Sequence, residues 1–172
     1  MNKQTIITLI VILAGLTGLV VWSKNVEPTS TTEATSKFNS ARTGGTLVAD
    51  ELFYDFGKIS MKDGNVSKIF KVTNTGSEDV NVPSLYTSCM CTNAYIINAD
   101  GTKKGPFGMP GHGSAVAKAN DVIKAGETRE IEVVYDPNAH GPAGVGLIER
   151  SVFLEDDNKG VVEFKFKASV TP

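Results

Sequence analysis

The sequence predicts an all-β domain, an antiparallel sandwich of about seven strands, preceded by one N-terminal transmembrane helix. Apolar and polar residues alternate along short segments after residue 46, and the run Gln4–Ser23 carries no charged residue. Alternation with a period of two indicates strands with one buried face, whereas a long uncharged apolar run indicates a membrane span. A length of 172 residues leaves room for one ordinary domain. The net charge of −2 argues against nucleic-acid binding.

The N-terminal segment predicts export. As a helix, Thr5–Trp22 would span roughly 27 Å, close to the hydrocarbon thickness of a bilayer. Residues 1–22 are interpreted as an uncleaved signal anchor, because Val20, Val21 and Trp22 do not resemble the small residues of a cleavage site. A cleaved signal peptide is the alternative. We therefore expect a single-pass membrane protein whose domain lies outside the cytoplasm, in the periplasm or at the cell surface.

Residues 23–46 predict a flexible linker. This stretch is rich in Ser and Thr and contains Pro28 and the pair Gly44-Gly45. Such a composition buries little apolar surface, so we expect a tether that separates the domain from the membrane.

Residues 47–172 predict the sandwich itself. The clearest strand is the last one, in which Val162, Phe164, Phe166, Ala168 and Val170 share one face and polar residues occupy the other. Clusters of Gly, Asn, Asp and Pro separate the segments and indicate turns. The predicted strands are Glu51–Phe56, Val66–Asn74, Val80–Tyr86, Ala94–Ile97, Thr128–Tyr135, Leu147–Glu155 and Val161–Val170.

The stretch 98–121 breaks this rhythm and predicts a long loop. Its first part is rich in Gly and Pro, and loops of this length in compact domains are commonly functional. Phe107, Met109 and His112 are its side chains with recognition value, so they are the predicted partner-binding residues.

The pair Cys89 and Cys91 is the chemically most distinctive feature of the sequence, because the chain contains no other cysteine. In an extended strand both sulfurs would face the same way, and a disulfide between them would require a local turn. Three interpretations stay open: a structural thiol or disulfide pair, a soft-metal site, or a thiol–disulfide site. The metal interpretation adds His112 as a ligand, and His140 as the fourth member of a two-Cys, two-His set for copper or zinc.

Several motifs occur together in one order. They are Asp55-Phe56-Gly57, Phe70-x-Val72-x-Asn74-Thr75-Gly76, Ser88-Cys89-Met90-Cys91-Thr92, Ala125-Gly126-Glu127 and Val133-x-Tyr135-Asp136. In these motifs the chain resembles the bacterial domain-of-unknown-function family 1573, in which Gly usually stands at the position of Met90. The resemblance implies an exported, Ig-like β-sandwich akin to major-sperm-protein and Hydin-type modules. It implies no activity, substrate or catalytic residue.

We therefore expect a non-catalytic binding or structural module rather than an enzyme, with no catalytic residue and no cofactor. Its expected contacts are the membrane, through the N-terminal helix, and a protein or cell-envelope partner, with no nucleic acid. The alternative is a copper or zinc protein, or a thiol-redox protein, that uses Cys89 and Cys91.

Overall fold

The computed structural model describes residues 46–112 and 118–172, and these residues form ten β-strands and no α-helix. The strands are β1 (Leu47–Ala49), β2 (Phe53–Ser60), β3 (Val66–Asn74), β4 (Val80–Thr87), β5 (Thr92–Ile97), β6 (Lys103–Phe107), β7 (Lys118–Ile123), β8 (Thr128–Tyr135), β9 (Gly146–Glu155) and β10 (Val161–Thr171). Two short 3-10 helices, Met61–Asp63 and Gly141–Gly144, lie between β2 and β3 and between β8 and β9. In the described part of the chain, no helix is long and apolar enough to cross a membrane.

The strands form two five-stranded sheets. Sheet A has the order β1-β3-β8-β5-β6, and sheet B has the order β2-β10-β9-β4-β7. The connection from β4 to β5 passes from sheet B to sheet A, and the connection from β8 to β9 passes back from sheet A to sheet B. These two crossings position the candidate site described below.

The core lies between the sheets and is built from aliphatic and aromatic side chains. Phe70 of sheet A packs on Phe164 of sheet B with ring centroids 4.9 Å apart, and Tyr135 packs on Phe166 at 5.5 Å. Phe164 and Phe166 are both fully buried. No disulfide joins the sheets among the described residues, so apolar packing holds the core together.

The structure confirms the predicted strands and adds three. In β10 the predicted apolar face is buried at Phe164, Phe166, Ala168 and Val170 and half-buried at Val162. The first predicted strand, Glu51–Phe56, begins and ends later, as β2. The short strands β1, β6 and β7 were not predicted, because three residues show no period and because Gly105, Pro106 and Asn120 indicate turns.

The prediction of a purely antiparallel sandwich is wrong at one pair, because β2 and β10 run in parallel. β1 pairs with β3 in sheet A, whereas the next strand along the chain, β2, lies at the edge of sheet B beside β10. An edge strand that has crossed between sheets can pair in either direction, and the residue pattern of one strand does not encode that direction.

The prediction of one loop over 98–121 is also wrong. β6 and most of β7 lie within it, and Phe107, at the end of β6, is only 2% exposed. Phe107 is therefore a core residue and is not available to a partner. Met109 is half-buried and His112 is exposed in the turn that follows β6. The predicted signal anchor at 1–22 and nearly all of the predicted linker at 23–46 lie outside the described residues.

Candidate functional site

Cys89 and Cys91 lie in a tight turn at the point where the chain crosses from β4 to β5. The backbone N–H of Thr92 donates to the carbonyl of Cys89 at 3.2 Å, which closes the turn. The hydroxyl of Thr87 donates to the same carbonyl at 2.9 Å. Ser88 ties the start of the turn to β9, because its N–H donates to the Ser151 carbonyl and its hydroxyl accepts from the Ser151 N–H, both at 2.9 Å. The turn is therefore held in one conformation, unlike the extended geometry considered from the sequence alone.

The second crossing, from β8 to β9, brings His140 to the same place. The N–H of Asp136 donates to the Cys91 carbonyl at 2.9 Å and joins the two crossings directly. The Asp136 carboxylate then accepts from the N–H of Asn138 at 2.8 Å, which turns the chain before His140. The His140 Nε2 atom lies 3.3 Å from the Cys89 Sγ atom.

Three side-chain atoms of the kinds that can bind a metal ion thus lie close together. The Sγ atoms of Cys89 and Cys91 and a ring nitrogen of His140 all lie within 4.8 Å of one another. Cys91 is 1% exposed, Cys89 is half-buried and His140 is exposed, so the cluster is closed on the core side and open to solvent on the other. Sulfur and imidazole nitrogen are ligands for soft and borderline metal ions.

Arg150 adds a positive charge to the cluster. Its Nε–H donates to the Cys91 Sγ atom at 3.4 Å, while its Nη1 donates to the carbonyl of Glu149 at 2.8 Å. Along β9, Ile148, Val152 and Leu154 are buried, and Arg150 shares their side of the strand. The strand therefore directs a guanidinium toward the interior at the level of the thiols.

These contacts give the two thiols different pKa values. Burial raises the pKa of the Cys89 thiol, but hydrogen bonds from the thiol and backbone N–H of Cys91, together with His140 and Arg150, lower that pKa to about 7. Burial, and the hydrogen bond to Cys89, raise the pKa of the Cys91 thiol. Cys89 is therefore the thiol that ionises first, and Cys91 is the one that keeps its proton.

The structure places the predicted site residues as follows. The Sγ atoms of Cys89 and Cys91 lie close together, and a ring nitrogen of His140 lies beside them. His112, the histidine preferred from the sequence, does not belong to this three-ligand group. Arg150 was not predicted as part of the site. Its position could have indicated it, because it is a charged residue on the apolar side of an alternating strand.

Comparison with known proteins supports the fold. The model of the family described as "Protein of unknown function (DUF1573)" matches residues 47–105, and this match confirms the resemblance drawn from the motifs. Cys89 and Cys91 lie inside the matched region, whereas His140 and Arg150 lie beyond it. No curated protein matches the chain.

Among solved structures, a protein of unknown function from Porphyromonas gingivalis W83 aligns with a TM-score of 0.53 and 15% identity. The alignment covers 77% of this chain and 50% of that one, so the present chain spans half the length of its structural neighbour. The ASH / PapD-like domain 7 of human CEP192 aligns at 0.44 with 10% identity, covering 73% and 85% of the two chains. The secreted serine protease VesC from Vibrio cholerae aligns at 0.41 with 16% identity, covering 69% and 22%. At 15% identity, the alignment with the Porphyromonas gingivalis protein shows a similarity of fold alone.

Proposed function

We propose that this protein is a membrane-tethered, extracytoplasmic β-sandwich that acts as a non-catalytic binding module, and that it binds a soft metal ion at Cys89, Cys91 and His140. The observation that carries the proposal is the convergence of two sulfurs and one imidazole nitrogen, contributed by two separate crossings between the sheets. The uncharged segment Gln4–Ser23 supports the tether and the exported location. Edge strands and the turn after β6 are the surfaces proposed for a protein or cell-envelope partner.

The distances suit a bound ion. Metal–sulfur bonds are about 2.3 Å and metal–imidazole bonds about 2.0–2.1 Å, so a sulfur and a nitrogen on one ion lie about 3.5 Å apart at a tetrahedral angle. The observed separation between Cys89 Sγ and His140 Nε2 is 3.3 Å. Two sulfurs on one ion are at most about 4.6 Å apart. Since all three ligand atoms lie within 4.8 Å, side-chain adjustments of a few tenths of an ångström would complete the site.

The surrounding structure favours binding because it holds the ligands in place beforehand. The hydrogen bonds of Thr87 and Ser88 fix the cysteine turn, and the bond from Asp136 to the Cys91 carbonyl fixes the distance between the crossings. A prearranged site loses little conformational entropy when the ion binds.

Metal analysis of the full chain tests the proposal. Protein purified in detergent with its thiols reduced should bind one equivalent of copper(I) or zinc(II) by elemental analysis after gel filtration. Cys91→Ser and His140→Ala should each weaken binding by at least about tenfold, because each removes a ligand. His112→Ala is the matched control, since it removes an exposed loop histidine outside the cluster, and it should leave binding unchanged.

The contrary results are equally specific. If neither metal binds stoichiometrically, and if replacing both cysteines by serine only lowers the melting temperature modestly, the pair is structural and the metal proposal is wrong. If His112→Ala weakens binding as much as His140→Ala, the site is not the cluster described here.

Thiol–disulfide exchange is a second candidate, favoured by the lowered pKa of Cys89 beside the protonated thiol of Cys91. In this reaction the Cys89 thiolate attacks one sulfur of a substrate disulfide and releases the other as a thiolate. The Cys91 sulfur, giving up its proton, then displaces the second substrate sulfur. The substrate is reduced to two thiols, and Cys89 and Cys91 become a disulfide. Equilibration with reduced and oxidised glutathione, followed by mass spectrometry of the Cys89–Cys91 disulfide, tests this candidate independently of metal.

A further inference from the structure

We infer that the site selects copper(I) over zinc(II), and that Arg150 is the residue that sets this preference through its charge. The inference rests on the proposed metal binding and concerns which ion the same ligands accept. It follows from two features of the cluster: the number of ligands and the position of the guanidinium.

The number of ligands is three. Among residues 46–112 and 118–172, no fourth His, Cys, Asp or Glu ligand atom joins Cys89, Cys91 and His140. Structural zinc sites are almost always four-coordinate, and a three-ligand zinc site adds a water molecule as the fourth ligand. Thiolates bind both copper(I) and zinc(II), but two sulfurs with one nitrogen supply a complete donor set for a three-coordinate copper(I) ion without water.

The charge of the cluster matches a monovalent ion. Metal binding requires cysteine ligands to be thiolates and a histidine ligand to be a neutral imidazole, so the three ligands of a bound ion carry two negative charges, and Arg150 contributes one positive charge. One copper(I) ion makes this group of side chains neutral, whereas zinc(II) leaves it with an excess positive charge beside the core. A buried or half-buried site disfavours an uncompensated charge, so the arrangement favours the monovalent ion.

The guanidinium is close enough to act on the bound ion. Its Nε atom is 3.4 Å from the Cys91 Sγ atom, and an ion bound at about 2.3 Å from that sulfur lies within about 6 Å of Nε. Repulsion at this distance is substantial in a half-buried site and is twice as large for a divalent ion as for a monovalent one. Arg150 thus penalises zinc(II) more than copper(I).

The ratio of the two affinities isolates this effect. Arg150 also stabilises the thiolates, but both metals require both thiolates, so that contribution cancels in the ratio. Arg150→Gln removes the charge and keeps hydrogen-bonding groups, whereas Arg150→Lys keeps the charge and is the matched control. We expect Arg150→Gln to shift the copper(I)-to-zinc(II) affinity ratio toward zinc by about tenfold, and Arg150→Lys to leave it nearly unchanged.

The experiment uses the reduced full chain in detergent under anaerobic conditions. Copper(I) affinity is measured by competition with a colorimetric copper(I) chelator, and zinc(II) affinity by competition with a fluorescent zinc chelator. X-ray absorption of the copper-loaded protein should report three ligands, two sulfurs and one nitrogen. Circular dichroism melting curves of each variant establish that it is folded before its affinities are compared.

Each outcome has one meaning. Three-coordinate copper together with a ratio that falls in Arg150→Gln but not in Arg150→Lys supports the inference. Tighter binding of zinc(II) than copper(I), or an unchanged ratio in folded Arg150→Gln, overturns the inference and leaves the proposed metal binding intact. Failure of both metals to bind the unmodified chain overturns the inference and the proposed metal binding together.

Discussion

Cys89 should react with iodoacetamide faster than an ordinary thiol at neutral pH. The pKa of Cys89 is about 7, against a usual value of 9.0. At pH 7, about half of the Cys89 side chains are therefore thiolates, against about 1% of ordinary thiols, so the thiolate fraction is roughly fiftyfold larger. A thiolate of lower pKa is also less nucleophilic, which reduces the rate by about eightfold over this interval. The net expectation is a rate about sixfold higher at pH 7, with the advantage reversed above pH 9 because ordinary thiols are then also ionised.

The assay is alkylation of the metal-free, reduced chain over a range of pH, with peptide mass spectrometry to count each cysteine separately. Cys89 should show an inflection near pH 7, and the buried Cys91 should react far more slowly at every pH. His140→Ala and Arg150→Gln should both move the Cys89 inflection upward, because each removes a contact that stabilises its thiolate, while His112→Ala should not. If both cysteines titrate together near the usual thiol pKa, the described hydrogen bonds do not exist in solution.

Three further predictions concern stability and topology. Phe166 is fully buried against rings of both sheets, so Phe166→Ala should lower the free energy of unfolding by about 3–5 kcal/mol in urea titration, whereas Lys165→Ala on the opposite face should change it by less than about 0.5 kcal/mol; equal losses would mean that the strand register is wrong. Asn74 is fully buried and donates to the carbonyls of Glu78 and Ile123 at 2.8 and 2.9 Å, so Asn74→Ala should cost about 2–3 kcal/mol by the same measurement, against about 0.5 kcal/mol for the exposed Asn81→Ala; similar costs for the two would contradict the buried bonds. If residues 1–22 are a retained anchor, the full chain should sediment with membranes and its domain should be degraded by protease added to spheroplasts; a mature soluble protein that begins near residue 23 would refute the anchor but not export.

Much of the fold could be predicted from local patterns. Alternation located the strands that have one face in the core, as in β10, where every second residue from Phe164 is buried. It did not locate β6, whose Gly105 and Pro106 indicate a turn, or β7, which contains Asn120 at a φ of +42°. Those strands are held by pairing with β5 and β4, an interaction that no local residue pattern reports.

Only the cysteine pair of the candidate site could be predicted from the sequence. Cys89 and Cys91 are two residues apart, and this short separation requires them to lie close together in any fold. The sequence could not show whether His112 or His140 lies beside the cysteines, because both histidines follow loop segments that contain Gly or Pro. The two crossings between sheets decide it, since the bond from Asp136 to the Cys91 carbonyl places the β8–β9 connection beside the thiols.

The sequence by itself was enough to predict strands with one buried and one exposed face and to show that the two thiols are close neighbours along the chain. It was also enough to predict a membrane span in the N-terminal segment. Periodicity, spacing and hydropathy are properties of short segments, so they can be read without knowledge of the fold. Only the tertiary structure decided which side chains meet those thiols. His140 follows Cys91 by dozens of residues and Arg150 lies on another strand, yet both contact the same pair. Such contacts depend on the order of strands and on where the chain changes sheets, and these are settled by the packing of the whole core.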